Sequence, residues 1–281
     1  MVEVDSESLK NVKDVLQLSS ELDERSCTAF SGGVDSSLLA RLVELQGLDL
    51  SLISIGFGEY DEADYIEKAA DLIGGELYYH NIHLEELEKG LTHTLELIEY
   101  DRIALLENAV GYYFIFKLAS HNGFNTVLSA HGVDELFCGY DVFRREYNNT
   151  DLNQLIDTLT ETAKQDNQII EQIAGLFKIN YRCPFLENEF IAFSKTVPPN
   201  QKIRDENDKL RKHYIREQAT QLGLPDEIAY RAKSSLQYSS GLHKAIRRLA
   251  RKNGYTNKTG KQIGYESGMM AYIMRLKKDV C

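Results

Sequence analysis

Ser31-Gly32-Gly33-Val34-Asp35-Ser36-Ser37 decides how the rest of the chain is read. The stretch follows a short apolar run, residues 27–30, and precedes Leu38, Leu39, Leu42 and Val43, which recur at helical spacing. Strand, glycine turn and helix in that order aim backbone N–H groups and the positive end of a helix at an anion, and the natural guest is a phosphate chain. Gly32 and Gly33 let the backbone approach that guest closely, while the hydroxyls of Ser31, Ser36 and Ser37 can donate where the N–H groups do not reach. Asp35 is repelled by phosphate unless a divalent cation lies between them, so magnesium is implied. The spacing is neither the Gly-x-x-x-x-Gly-Lys-Ser/Thr loop nor the Gly-x-Gly-x-x-Gly turn of dinucleotide folds. A turn that merely caps a helix would also favour Ser and Asp, but the strand before and the helix after are the context a ligand loop needs.

Outward from this loop, residues 50–57 read as a strand buried on both faces, and residues 61–73 as a helix ended by Gly74-Gly75. Residues 77–82 form a third strand, residues 84–118 two helices, and residues 126–129 a fourth strand. Such alternation gives an open parallel sheet whose ligands bind beyond the carboxyl ends of the strands, where Phe30, Ile55 and Ser129 should meet. The fourth strand runs into Ala130-His131-Gly132-Val133-Asp134-Glu135, which brings a second carboxylate, Asp134, to the edge that holds Asp35. Two carboxylates facing one triphosphate make a sound magnesium site. From residue 151 no strand is expected. Helices over 152–160, 169–177, 187–194, 209–222 and 243–250 would close over the nucleotide edge, which divides the chain into an α/β core, 1–150, and a helical part, 151–281. A last helix over 260–278 carries methionines at packing spacing and would serve the core or a homo-oligomer contact.

Composition narrows the function classes. The 281 residues are 43% apolar, ordinary for a globular protein, and no run approaches the roughly eighteen apolar residues of a membrane helix. The start of the chain, with Glu3, Asp5, Glu7 and Asp14, is too acidic for a secretory or transit peptide, so a cytoplasmic location is expected. Four widely spaced cysteines form neither a Cys-x-x-Cys pair nor a zinc pattern. The net charge is −11, yet residues 202–252 hold thirteen Lys and Arg against six Asp and Glu, a local +7 that leaves −18 for the rest.

Ser31 to Ser37 resembles the pyrophosphate loop of the N-type ATP pyrophosphatases. It is followed, in order, by Asp134-Glu135-Leu136-Phe137 with Gly139-Tyr140, Arg182-Cys183-Pro184-Phe185-Leu186-Glu187, Lys209-Leu210-Arg211-Lys212-His213-Tyr214-Ile215-Arg216-Glu217 and Arg231-Ala232-Lys233. Together these segments resemble the synthetase domain of the asparagine synthetase family over about residues 26–250. The resemblance implies an α/β fold with an open parallel sheet of the adenine nucleotide alpha hydrolase-like, PP-loop type, followed by a mostly helical C-terminal part. It also implies ATP and Mg2+, adenylation of a carboxylate (aspartate or a related acid) with release of pyrophosphate, and attack by ammonia or an amine to give an amide and AMP. By the same resemblance Phe30, Ile55, Ser129 and Ala130 hold adenine and ribose, and Ser31, Gly32, Gly33, Asp35, Ser36 and Ser37 hold pyrophosphate. Asp35 and Asp134 would hold the metal, and Lys209 would stabilise transition-state charge, since a departing pyrophosphate and a tetrahedral oxyanion both need a positioned cation.

One departure stands out. The family's Gly-Glu-Gly-Ser-Asp-Glu is Ala130-His131-Gly132-Val133-Asp134-Glu135 here, so His131 stands where a glutamate manages the proton of the attacking nitrogen. Histidine can do this as a general base near neutral pH, or can simply hydrogen-bond the turn. Glutamine-dependent members begin a separate amidase domain with Cys at position two, whereas this chain begins Met1-Val2. The expectation is a synthetase domain without the glutaminase domain, its ammonia free or delivered by a separate glutaminase subunit. Two other readings are a PP-loop enzyme that modifies RNA, held by the +7 segment, and a nucleotide-binding homologue without catalysis. The missing cysteine pair for sulfur delivery argues against nucleic acid as the partner.

Overall fold

The computed structural model describes residues 11–16, 22–58, 62–100, 102–232 and 240–280. The described residues open with one helical turn, α1 (Val12–Val15), which starts from a capping box between Asn11 and Asp14. It continues through β1 (Ser26–Ala29), α2 (Val34–Glu44), β2 (Ser51–Phe57), α3 (Ala63–Ile73), β3 (Glu76–Ile82), α4 (Leu84–Leu97), α5 (Ile103–His121) and β4 (Thr126–Leu128). Two short turns, α6 (Val133–Leu136) and α7 (Val142–Arg145), lead into the long α8 (Leu152–Leu176) and then β5 (Asn180–Arg182). The remainder is helical: α9 (Asn188–Thr196), α10 (Pro199–Lys202), α11 (His213–Gln221), α12 (Asp226–Ala229), α13 (Leu242–Lys252), α14 (Asn257–Gln262) and α15 (Gly268–Val280).

The five strands are all parallel, in the order β3-β2-β1-β4-β5. The first three strands step outward in one direction, and the chain then returns to lay β4 on the other side of β1, with Thr28 opposite both Leu52 and Leu128. The reversal between β1 and β4 opens a crevice at the carboxyl ends of those two strands. Helices cover both faces. On one, Leu38, Leu39 and Leu42 of α2 join a cluster that includes Phe137, Phe143, Phe185 and Phe190. On the other, Phe57, Phe114 and Phe116 pack with Ile246 of α13 and Ile273 of α15. The α5 helix is apolar on all sides because it is buried on all sides, from Leu105 through Phe116.

The sheet differs from the sequence expectation by one strand. Asn180-Tyr181-Arg182 pairs with β4, Leu128 opposite Arg182, so the mostly helical region after residue 150 also adds a strand to the sheet. Three residues are too few for an alternation to show. The helices expected over 152–160 and 169–177 are one, since the polar residues between them include no Gly or Pro and carry the helix through. The helix expected to begin at 209 begins at His213, because Arg211 and Lys212 adopt positive φ, 53° and 54°. The last helix is two, broken at Gly264 (φ +89°) and re-entered at Gly268, which lies against the Tyr255–Thr256 backbone too closely for any side chain.

Lys202 is a cation set inside this core. It is 1% exposed, with Nζ 5.2 Å from the centroid of the Phe137 ring, and burial pushes its pKa down to about 8. An ordinary lysine titrates near 10.4, so the unfolded chain holds the extra proton between those values and stability rises with pH across that window. Lys202→Met is expected to stabilise the fold at pH 7 by roughly 1–3 kcal/mol, with the gain shrinking toward pH 10. Urea denaturation at the two pH values checks this, and an equal effect at both contradicts it.

Candidate active site

A cavity of about 340 Å³ lies in the crevice. Phe30, Ser31, Gly33, Asp35 and Ser36 enter it from the β1–α2 turn, Ile55 from β2, and Ser129, Ala130, His131 and Asp134 from the β4–α6 turn. The expected site residues therefore converge, with three exceptions. Gly32 (φ +67°) packs behind the loop, where a Cβ would fall 2.7 Å from the Tyr65 ring, whose hydroxyl donates to the Gly32 carbonyl at 3.1 Å. Ser37 lies beneath the loop, and its buried Oγ has no hydrogen-bond partner among the described residues. Lys209 is exposed and does not line the cavity.

The loop bonds to itself. The Ser31 N–H donates to Ser36 Oγ at 3.2 Å, the Ser31 and Ser36 hydroxyls lie 3.1 Å apart, and Ser36 Oγ donates to the Gly33 carbonyl at 3.2 Å. Gly33 is the N-cap of α2 and uses no side chain, so the first N–H groups of that helix face the cavity end. An arriving phosphate oxygen can exchange these internal bonds for its own, so the loop fits a phosphate chain.

Between two carboxylates of the cavity lies the ammonium of Lys212. Its Nζ lies 2.5 Å from Asp35 Oδ2 and 2.7 Å from Asp134 Oδ1, with 2% of the side chain exposed. Burial alone would depress its pKa, but the carboxylates of Asp134 and Asp35 outweigh burial and hold it above the ordinary lysine value. That Lys212 and not Lys209 reaches the cavity follows from backbone shape. Asp208 accepts the N–H groups of Leu210 (3.0 Å) and Arg211 (3.1 Å) and pairs with His213 at 2.7 Å, which curls the chain so that Lys212 turns inward. The buried Arg216 then donates to the carbonyls of Leu210, Arg211, Ala229 and Arg231. Arg211 donates to the Gly139 carbonyl at 3.0 Å, and Gly139 must be glycine because a Cβ there would meet Asp134 at 1.9 Å.

His131 sits on a buried aromatic floor. Its Nδ1 is 3.1 Å from the Tyr181 hydroxyl, and its ring meets Tyr112 edge-on at 5.0 Å. Tyr112 shares a 2.5 Å hydrogen bond with Ser129 Oγ, which also accepts the His131 N–H at 3.3 Å. Burial pushes both phenols above the usual tyrosine value, so both stay protonated at neutral pH. Opposite, the Arg231 guanidinium lies 3.4 Å from the centroid of the Tyr65 ring and binds Glu62 at 2.6 Å. Lys233, quoted with Arg231 in the sequence, lies outside the described residues.

Asp35 and Asp134 could hold a metal. Both reach one ammonium, so their oxygens converge, and magnesium needs little more than two carboxylates and phosphate oxygens. Among the described residues no group of three or more His, Cys, Asp or Glu is arranged to hold a metal by itself.

The parallel sheet, its reversal point and the self-bonded loop define the α/β fold of the PP-loop ATP pyrophosphatases. The chain belongs to the asparagine synthase family, whose sequence model, "Asparagine synthase", matches residues 12–178 and 158–267. A relative from Methanocaldococcus jannaschii is 28% identical over 273 residues, covering 81% of this chain and 48% of the relative. The human asparagine synthetase [glutamine-hydrolyzing] is 29% identical over 78% of this chain and 40% of its own. Asparagine synthetase B [glutamine-hydrolyzing] of Escherichia coli is 26% identical over 75% and 40%. The chain thus spans half or less of the length of these relatives. A structure of NMN synthetase from Francisella tularensis covers 80% of this chain and 82% of its own at 15% identity, with a TM-score of 0.39. No helix among the described residues is long and apolar enough to cross a membrane.

Lys212→Met leaves two largely buried carboxylates with no cation between them, an arrangement that costs about 3 kcal/mol or more. Lys209→Met touches an exposed side chain and should change stability by less than about 0.5 kcal/mol. Urea denaturation of the two variants at pH 7 checks the contrast.

Proposed function

We propose that this chain is an ATP-dependent, AMP-forming carbon–nitrogen ligase that adenylates a carboxylate, aspartate or a related acid, and passes the acyl group to ammonia or an amine. The observation that carries this reading is the meeting of Lys212, Asp35 and Asp134 beside the self-bonded Ser31–Ser36 loop.

A carboxylate oxygen of the acid attacks the α-phosphorus of ATP and pyrophosphate leaves. The Ser31–Ser37 loop receives the departing group through its N–H groups and hydroxyls, and Lys212 neutralises the charge that builds on it. Magnesium, when bound, screens the triphosphate, with Asp35 and Asp134 as the residues that would hold it. Nitrogen then adds to the acyl carbon, the bond to the AMP oxygen breaks, and the nitrogen gives up a proton. His131 lines the cavity and is the group on this chain suited to take it, its ring oriented through Nδ1 by the Tyr181 hydroxyl. The nitrogen is ammonia or an amine, free or supplied by a separate glutaminase subunit.

The RNA-modifying alternative draws less support. Lys202, Arg211, Lys212 and Arg216, four cations of the basic segment, are buried and so not offered to a nucleic-acid backbone.

ATP–pyrophosphate exchange over a panel of amino acids and small carboxylates tests the proposal. Exchange should require an acid, and Lys212→Met or Asp134→Asn should lower it by about 100-fold or more. His131→Gln should leave exchange within about threefold while lowering amide formation by about 100-fold, since it acts after adenylation. Exchange that requires tRNA would falsify the amide-forming reading in favour of the RNA enzyme, and ATP binding without exchange under any condition favours the non-catalytic homologue.

A further inference from the structure

Beyond the floor of Ser129 and His131 the cavity continues into a trough between α5 and α8 that the nucleotide residues do not account for. The α5 helix lines it with Leu105, Asn108, Tyr112 and Ile115, and α8 with Leu159, Thr162, Ala163 and Asp166. On α5 these positions are three or four apart, and on α8 they fall at i, i+3, i+4 and i+7, so each set forms one continuous stripe. Asp166 forms an ion pair with Arg102, the N-cap residue of α5, and both side chains line the cavity, 22% and 37% exposed. The trough therefore has a middle of Leu105, Leu159 and Ala163 with Asn108 and Thr162 among them and, at one end, a positive and a negative group side by side.

Resting on the ligase reading above, we infer that this trough is the acid-substrate site and takes an α-amino acid whose aliphatic side chain is longer than that of aspartate and ends in the carboxyl group to be adenylated. Arg102 receives the α-carboxylate, for which its planar fork is shaped, and Asp166 receives the α-ammonium. A head group with both charges replaces the Arg102–Asp166 contact without leaving either partner alone, whereas a plain dicarboxylate sets a second negative charge against Asp166. Length follows from the helix. Arg102 precedes Tyr112 by about 15 Å of helix axis at 1.5 Å per residue, and an extended arginine side chain covers only about 6 Å of it. The lining over that stretch is mainly apolar, Leu105 and Ala104 on one side and Leu159 and Ala163 on the other with only Asn108 and Thr162 polar, and suits methylenes. Aspartate offers one methylene and leaves that surface uncovered.

The test is ATP–pyrophosphate exchange with aspartate, glutamate, 2-aminoadipate and 2-aminopimelate, each beside its analogue without the amino group. The wild-type chain should favour one of the longer amino acids over aspartate by about tenfold or more in kcat/KM, and over its own des-amino analogue by a similar factor. Arg102→Met should raise KM for that amino acid about tenfold with little change in kcat, and Arg102→Lys should recover part of the loss. Asp166→Asn should erase the preference for the amino over the des-amino acid. A mere tie between α5 and α8 predicts something else: equal losses on both kinds of acid, with lowered thermal stability. That pattern, or aspartate as the best acid with Arg102→Met neutral, overturns the inference and leaves the ligase standing. Absence of exchange with every acid overturns both.

Discussion

The site is assembled around one ammonium group. Asp35 follows β1 and Asp134 follows β4, on opposite sides of the point where the strand order reverses, and their carboxylates would repel each other across the crevice without Lys212 between them. Burying that ammonium is expensive, and the backbone is bent to do it, through left-handed conformations at both Arg211 and Lys212. Asp208 and Arg216 hold the bend by taking up the backbone groups it frees. The phosphate loop near the start of the chain therefore depends on a loop nearly two hundred residues later, and the region after residue 150 supplies both the fifth strand and the cation of the first region's site.

Much of this could be read from the sequence, for reasons that differ by residue. The β1–α2 turn is local, with strand, glycines and helix contiguous, so Ser31, Gly33, Asp35 and Ser36 were found where expected. Ser129, Ala130 and Asp134 followed from a second local turn plus the rule that parallel strands end at one edge. Lys212 did not follow. The run from Lys209 to Leu222 reads as one helix, and on a helix Lys209 and Lys212 are equivalent candidates. What separates them is a pair of positive φ angles fixed by Asp208, a tertiary effect with no periodic trace. Tyr181 was hidden in the same way, inside a strand of three residues whose partner lies more than fifty positions earlier. Arg102 and Asp166 carry no motif, and only the packing of α5 on α8 makes them neighbours.

The uneven charge also has a structural answer. A basic segment in an acidic chain suggests a surface for polyanions, but here the segment is turned partly inward. Lys202 lies over the Phe137 ring, Arg211 and Arg216 tie carbonyls, and Lys212 balances carboxylates. Charge counted along a sequence says nothing of which side chains face water. Three of the cations that line the cavity, Lys212, Arg216 and Arg231, come from this one segment.

The thiols give the fold one more property. Cys27 lies in β1, Cys138 follows α6 and Cys183 follows β5, and all three are buried and unbridged. Burial pushes Cys138 and Cys183 up to about 12 and Cys27 higher still, so none offers a thiolate at neutral pH. Alkylating reagents must wait for the structure to open. Because the three sit in the central strand, after the turn that carries Asp134 and at the sheet's edge, their separate labelling rates would chart which part of the molecule loosens first.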